Sequence, residues 1–153
     1  MTNKITAIAE QLNINGVISF VPTGNSMWPT LKNKGQAVVV QKKTDRLKKF
    51  DVALYVLDDK LVLHRVIKVE SDGYITCGDS QFNLERVPEN CVLGVMTGFY
   101  QKEKFIDVNS PDYKARVKKW YINPKKRRAK VNRFYFFEKV KSKLKRIFGK
   151  KGD

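Results

Sequence analysis

The chain has 153 residues, 42% of them hydrophobic, which suits one packed core and excludes a disordered polymer. Its 31 basic and 15 acidic residues leave a formal charge of +16, and no run approaches the roughly 18–20 apolar residues of a transmembrane helix. Two cysteines and one histidine exclude a disulfide framework and zinc-ligand spacing, so reduced, semi-buried thiols are expected and neither metal nor cofactor is.

In chain order, Ile5, Ile8 and Leu12 recur at helical spacing and predict a short amphipathic helix over residues 3–13, ended by Asn13, Asn15 and Gly16. The opening MTNKITAIAEQLNING lacks the apolar centre of a secretory leader, so a cytoplasmic chain is expected. The pattern then turns to short β-branched and aromatic runs: VISFV (17–21), QAVVVQ (36–41), DVALYVL (51–57), KLVLHRVIKVE (60–70), YITC (74–77), CVLGVMTGFY (91–100) and KFIDV (104–108). Turn signals separate them at 33–35, Asp58-Asp59, 71–73 and 101–103. These predict a mainly β body of about seven strands with no βαβ rhythm. Ser110-Pro111 then opens a helix over DYKARVKKWYI, INPKKRRAK reads as a basic linker broken by Pro124, and VNRFYFFEKVKSKLKRIF reads as a basic amphipathic helix.

Charge follows the same division. Residues 1–113 hold 14 basic and 13 acidic side chains, a balance of +1; residues 114–153 hold 17 and 2, a balance of +15. The expected organisation is a β domain over 1–110 and a basic helical extension over 111–153.

The stretch PTGNSMWPTL holds Ser26 between a turn signal and a proline-stopped Met-Trp pair. Gly24 allows a tight turn and Pro29 fixes the exit. A serine hydroxyl needs an adjacent base to be a nucleophile, and alone it reads as a solvated turn residue. His64, the only histidine, lies in LVLHRVIKV, where alternation puts Leu61, Leu63, Arg65 and Ile67 on one face and Val62, His64, Val66 and Lys68 on the other. Imidazole is the commonest general base, although a single strand histidine is more often structural. Asp79, in CGDSQ after a strand, offers either a carboxylate to orient that imidazole or an ordinary turn hydrogen bond.

The ordered set GNSMWPTL, LVLHRVI, ITCGDS and VPENCVLGV resembles the signal peptidase I superfamily, whose clan also holds the LexA-like self-cleaving peptidases. The resemblance covers residues 16–100 and is greatest to the branch with histidine in place of the lysine base, as in endoplasmic-reticulum, archaeal and SipW-like signal peptidases. Small bacterial peptidases of the clan without an N-terminal anchor are similar too, with GVMTGFY (94–100) as a shared strand. The resemblance implies a LexA- or signal-peptidase-like β body and a serine endopeptidase acting on a precursor, leader or signal peptide. It implies Ser26 as nucleophile, His64 as general base, Asp79 as supporting acid and the Ser26 backbone N–H as oxyanion donor. Gly24, Met27 and Pro29 match the turn-shaping positions; Gly24 stands where many members carry a serine that helps the oxyanion.

In the extension, Phe137, Val140, Leu144 and Ile147 fall at spacings of three and four, with basic residues opposite. An anionic membrane surface is the expected partner, through Lys125, Lys126, Arg127, Arg128, Lys139, Lys143 and Arg146, at the inner face of the membrane. Nucleic acid is a competing polyanion, through KKRRAK beside Trp120 and Tyr121. The alternative to a peptidase is an inactive peptidase-like binding module tethered by the same tail, or a nucleic-acid-associated regulator.

Overall fold

A computed structural model describes residues 2–32 and 35–148. The turn expected at 33–35 therefore falls partly outside the described residues. Helix α1 (Thr2–Asn15) leads into β1 (Val17–Phe20), β2 (Val38–Lys42), β3 (Val52–Leu57), β4 (Lys60–Val69), β5 (Gly73–Cys77), β6 (Glu85–Pro88), β7 (Val92–Gln101) and β8 (Lys104–Asp107). Helices α2 (Pro111–Tyr121) and α3 (Pro124–Phe148) follow. The protein is mainly β with a short N-terminal helix and basic C-terminal helices, as expected.

The eight strands, all from described residues, form one antiparallel sheet in the order β1-β2-β7-β3-β4-β5-β6, with β8 paired to β7. The β3–β4 hairpin closes through Asp58 and Asp59, both at positive φ (49° and 56°). That is the two-residue turn whose twist matches the flanking strands. It pins the register Ala53 opposite His64 and Tyr55 opposite Val62. A bulge between Val66 and Lys68 then interrupts the pairing of β4 with β5. Leu47, Ala53, Tyr55, Val66, Tyr74, Val87 and Val92 form a buried cluster beside this hairpin. Residues Leu63–Val66 are all buried, so at its centre β4 is covered on both faces.

Two expectations change. The sheet has an eighth strand: Glu85–Pro88, charged and ended by proline, reads as loop in sequence but pairs with β5. The basic linker does not exist as such. Only Ile122 and Asn123 separate α2 from α3, and KKRRAK forms the first turns of α3. Pro124 opens that helix, because its missing N–H falls where no intrahelical bond is made. Asn123 Oδ1 caps it by accepting from Lys126 N at 3.0 Å.

The chain falls into two compact units, residues 1–114 and 115–153. The expected boundary after residue 110 lies at the start of α2; the observed division lies one turn into it. No helix among the described residues is long and apolar enough to cross a membrane.

Candidate active site

The site grows from sheet register. Val66 pairs with Thr76, and Thr76 pairs with Glu85. Residues paired across an antiparallel sheet share a face, as do residues two apart on one strand. His64, Val66, Thr76 and Glu85 therefore point the same way, and Tyr55 joins them diagonally across from His64. The side chains meet: His64 Nδ1 lies 2.9 Å from Glu85 Oε2 and 3.2 Å from Tyr55 Oη. Tyr55 Oη donates to Glu85 Oε2 and lies 2.9 Å from Thr76 Oγ1. Burial, reinforced by the hydrogen bond to Glu85, raises the Tyr55 pKa far above the ordinary phenol value, so Tyr55 stays a donor.

This row orients the imidazole. A carboxylate at Nδ1 takes the N–H there and leaves Nε2 as an acceptor on the opposite side of the ring. His64 is 6% exposed, so the ring is held rather than solvated. The carboxylate at His64 Nδ1 is Glu85, not Asp79. The signal of Glu85 in the sequence is its place at the head of the short run ERVP, which pairs as a strand with β5.

Asp79 has a different partner. Arg65, next to His64 on β4, points to the opposite face and is wholly buried. Its Nε and Nη2 each donate to Asp79, at 2.7 Å to Oδ1 and to Oδ2, a bidentate pair. Nη1 donates to Phe50 O at 2.8 Å, and Nη2 also reaches Tyr113 Oη and Thr30 Oγ1, each at 3.1 Å. Thr30 in turn donates to Asp79. The carboxylate expected to support the imidazole thus holds a buried guanidinium, because alternation along β4 separates its face from that of His64.

The Arg65–Asp79 pair acts on the serine loop instead. Thr30 fastens the loop's far end. Ser80, the next residue after Asp79, donates from N (2.8 Å) and Oγ (3.1 Å) to Ser26 O, and from Oγ to Asn25 O at 2.8 Å. Gly78 is needed here because a Cβ would sit 2.7 Å from Ser26 O. Within the loop, Gly24 takes a positive φ of 87°, Met27 is buried, and the Trp28–Pro29 peptide is cis. Trp28 N donates to Asn25 O and Leu31 N to Met27 O, so Ser26 stands at the start of a helical turn. The N–H groups of Ser26 and Met27 make no hydrogen bond among the described residues.

Ser26 and His64 are thereby set on two neighbouring supports: Ser26 O against Gly78–Ser80, and His64 beside Arg65, which pairs with Cys77. No hydrogen bond joins the Ser26 hydroxyl to His64 among the described residues. Neither is there a cluster of histidine, cysteine or carboxylate side chains among them able to hold a metal ion. The basic residues expected to meet a polyanion, Lys125, Lys126, Arg127, Arg128, Lys139, Lys143 and Arg146, all lie on α3, outside this site. No model of a known protein family matches the chain, and no curated protein matches it.

Proposed function

We propose that the chain is a serine endopeptidase of the signal-peptidase type, with Ser26 as nucleophile, His64 as general base and Glu85 as supporting acid. The observation that carries this reading is the hydrogen-bonded row Glu85–His64–Tyr55–Thr76 around the one histidine of the chain. At one ring nitrogen His64 meets both a carboxylate, Glu85, and a hydroxyl, Tyr55, which Thr76 holds in turn. The resemblance of GNSMWPTL, LVLHRVI and ITCGDS to the superfamily supports the same assignment.

In the proposed reaction a precursor peptide lies extended along a strand edge and pairs main chain to main chain. Ser26 Oγ attacks the scissile carbonyl carbon while His64 Nε2 takes the hydroxyl proton. The N–H groups of Ser26 and Met27 receive the oxyanion. The tetrahedral species collapses, the C–N bond breaks, and His64 returns the proton to the leaving amine. Water then attacks the acyl-enzyme with His64 again as base, and Ser26 is released. Glu85 keeps its proton relationship with Nδ1 throughout and stabilises the transient imidazolium. A Ser26–His64 bond that closes only with substrate is ordinary in such sites.

The absence of that bond also favours a second reading, a binding module that keeps the fold without chemistry. Digestion of a diverse peptide library, read by mass spectrometry, decides between them. Cleavages lost in both Ser26→Ala and His64→Ala establish the peptidase. Cleavage that survives Ser26→Ala, or none above background with the native chain, overturns it.

A further inference from the structure

Helix α3 carries a feature that the active site does not use. Its first half is covered on one side: Val131 is 2% exposed, Phe134 is half-buried, and Arg127 stacks over the Tyr121 ring at 4.8 Å from its centroid. Its second half bears Phe136, Phe137, Val140, Leu144 and Ile147, all exposed, Phe136 by 63% and Phe137 by 54%. At 100° per residue these five fall within an arc of about 100°, with Phe134 about 60° and Val131 about 120° beyond its Phe137 edge. The five form an apolar stripe along that side of the helix, exposed among the described residues.

Charge names the occupant. Of the residues in α3, 11 are Lys or Arg and one, Glu138, is acidic. Lys143 and Lys141 border the stripe on its two sides, and Lys139, Lys145 and Arg146 fill the rest of the surface beyond. Lys141 lies 3.6 Å from Glu138, so even that acid is offset. A second copy of the chain would bring two lysine-rich borders together. A nucleic acid would take the lysines and leave the phenylalanines in water. A bilayer surface with anionic headgroups answers both features: acyl chains take the stripe, and phosphates meet the long lysine stems that reach outward from its edges. The stripe runs over 12 residues, about 18 Å, too short to span a bilayer and suited to lying along it.

We propose that the second half of α3 docks in the plane of an anionic lipid surface, with Phe136, Phe137, Val140, Leu144 and Ile147 inserted. This proposal does not depend on the peptidase assignment. It fixes the chain to a surface rather than to a particular protein partner.

The test is flotation of the full chain at physiological salt. The vesicles are phosphatidylcholine alone, or equal parts phosphatidylcholine and phosphatidylglycerol. The native chain should float with the mixed vesicles and stay behind with phosphatidylcholine. Phe137→Asp with Leu144→Asp alters only exposed positions and should lower partitioning by about a hundredfold or more. Lys139→Gln, Lys143→Gln and Arg146→Gln should each lower it about fivefold. Circular dichroism confirms that the helices persist in each variant. Failure to float with mixed vesicles overturns the proposal, as does flotation indifferent to the apolar substitutions. A dimer in sedimentation velocity that those substitutions dissolve, without vesicle binding, overturns it in favour of a second copy. Binding to DNA that they leave intact, again without vesicle binding, overturns it in favour of nucleic acid.

Discussion

Replacing Asp79 by alanine separates a catalytic acid from a structural clamp. The substitution removes both 2.7 Å charge-assisted bonds to Arg65 and the acceptor that Thr30 uses. Arg65 is 0% exposed, so its guanidinium cannot turn to water. Phe50 O, Thr30 Oγ1 and Tyr113 Oη stay with it, but these are neutral acceptors for a full charge. Breaking a buried pair by removing one partner costs about 3–5 kcal/mol. A domain of this size is stable by only about 5–15 kcal/mol, so roughly a fifth or more of the total is at stake. In urea, where the slope is about 1–3 kcal/mol per molar, the midpoint should fall by roughly 2 M.

The paired substitution Arg65→Met with Asp79→Leu should recover most of that loss, because it removes the orphaned charge and fills the space with apolar groups. Urea unfolding followed by circular dichroism reads both variants. The reasoning is refuted if Asp79→Ala unfolds within about 1 kcal/mol of the native chain while activity is lost. Asp79 would then be acting on chemistry and not on the fold.

The complementary variant is Glu85→Gln, at a side chain 33% exposed. Its stability should change little, while peptide cleavage falls by about 10²–10⁴-fold because the amide no longer fixes the imidazole tautomer; equal losses in both would mean Glu85 is structural. Gly78→Ala should displace Ser26 O by about half an ångström from its 2.7 Å approach and lower kcat/KM by roughly 10–100-fold, whereas unchanged kinetics would show that the loop position is not critical. Glu89 gives a pH dependence. Burial raises its carboxyl pKa, but hydrogen bonds from Lys43 and Tyr74 and the charges of Lys43 and Arg46 outweigh this and hold it below the ordinary value. The folded pKa is depressed, so its contribution is present above the unfolded value near 4.3 and is lost as pH falls through the folded one. The stability gap between the native chain and Glu89→Gln should therefore be widest near neutral pH and shrink in acid; a gap constant down to pH 2 would contradict the assignment.

Much was written locally. β-branched runs such as VALYVL and LVLHRV specify strands whatever surrounds them, since alternation is a property of consecutive residues. The division between a neutral body and a cationic end, and the apolar spacing of α3, are likewise countable along the chain. Pro124 was ambiguous: the same residue breaks a helix interior or opens a helix, and only the capping contact with Asn123 decided which. Strand β6 was illegible because its four residues carry too little pattern, and its strand character comes from pairing with β5.

The site depended most on tertiary structure. His64 and Arg65 are neighbours, and the sequence cannot say which of them a distant carboxylate will meet. Cross-strand register settles it. Glu85 reaches His64 through Thr76 and Val66 on one face, and Asp79 reaches Arg65 on the other. The physical reason is the two-residue period of a strand: one step along the chain exchanges faces, so the partner of each side chain is chosen by pairing and not by proximity in sequence.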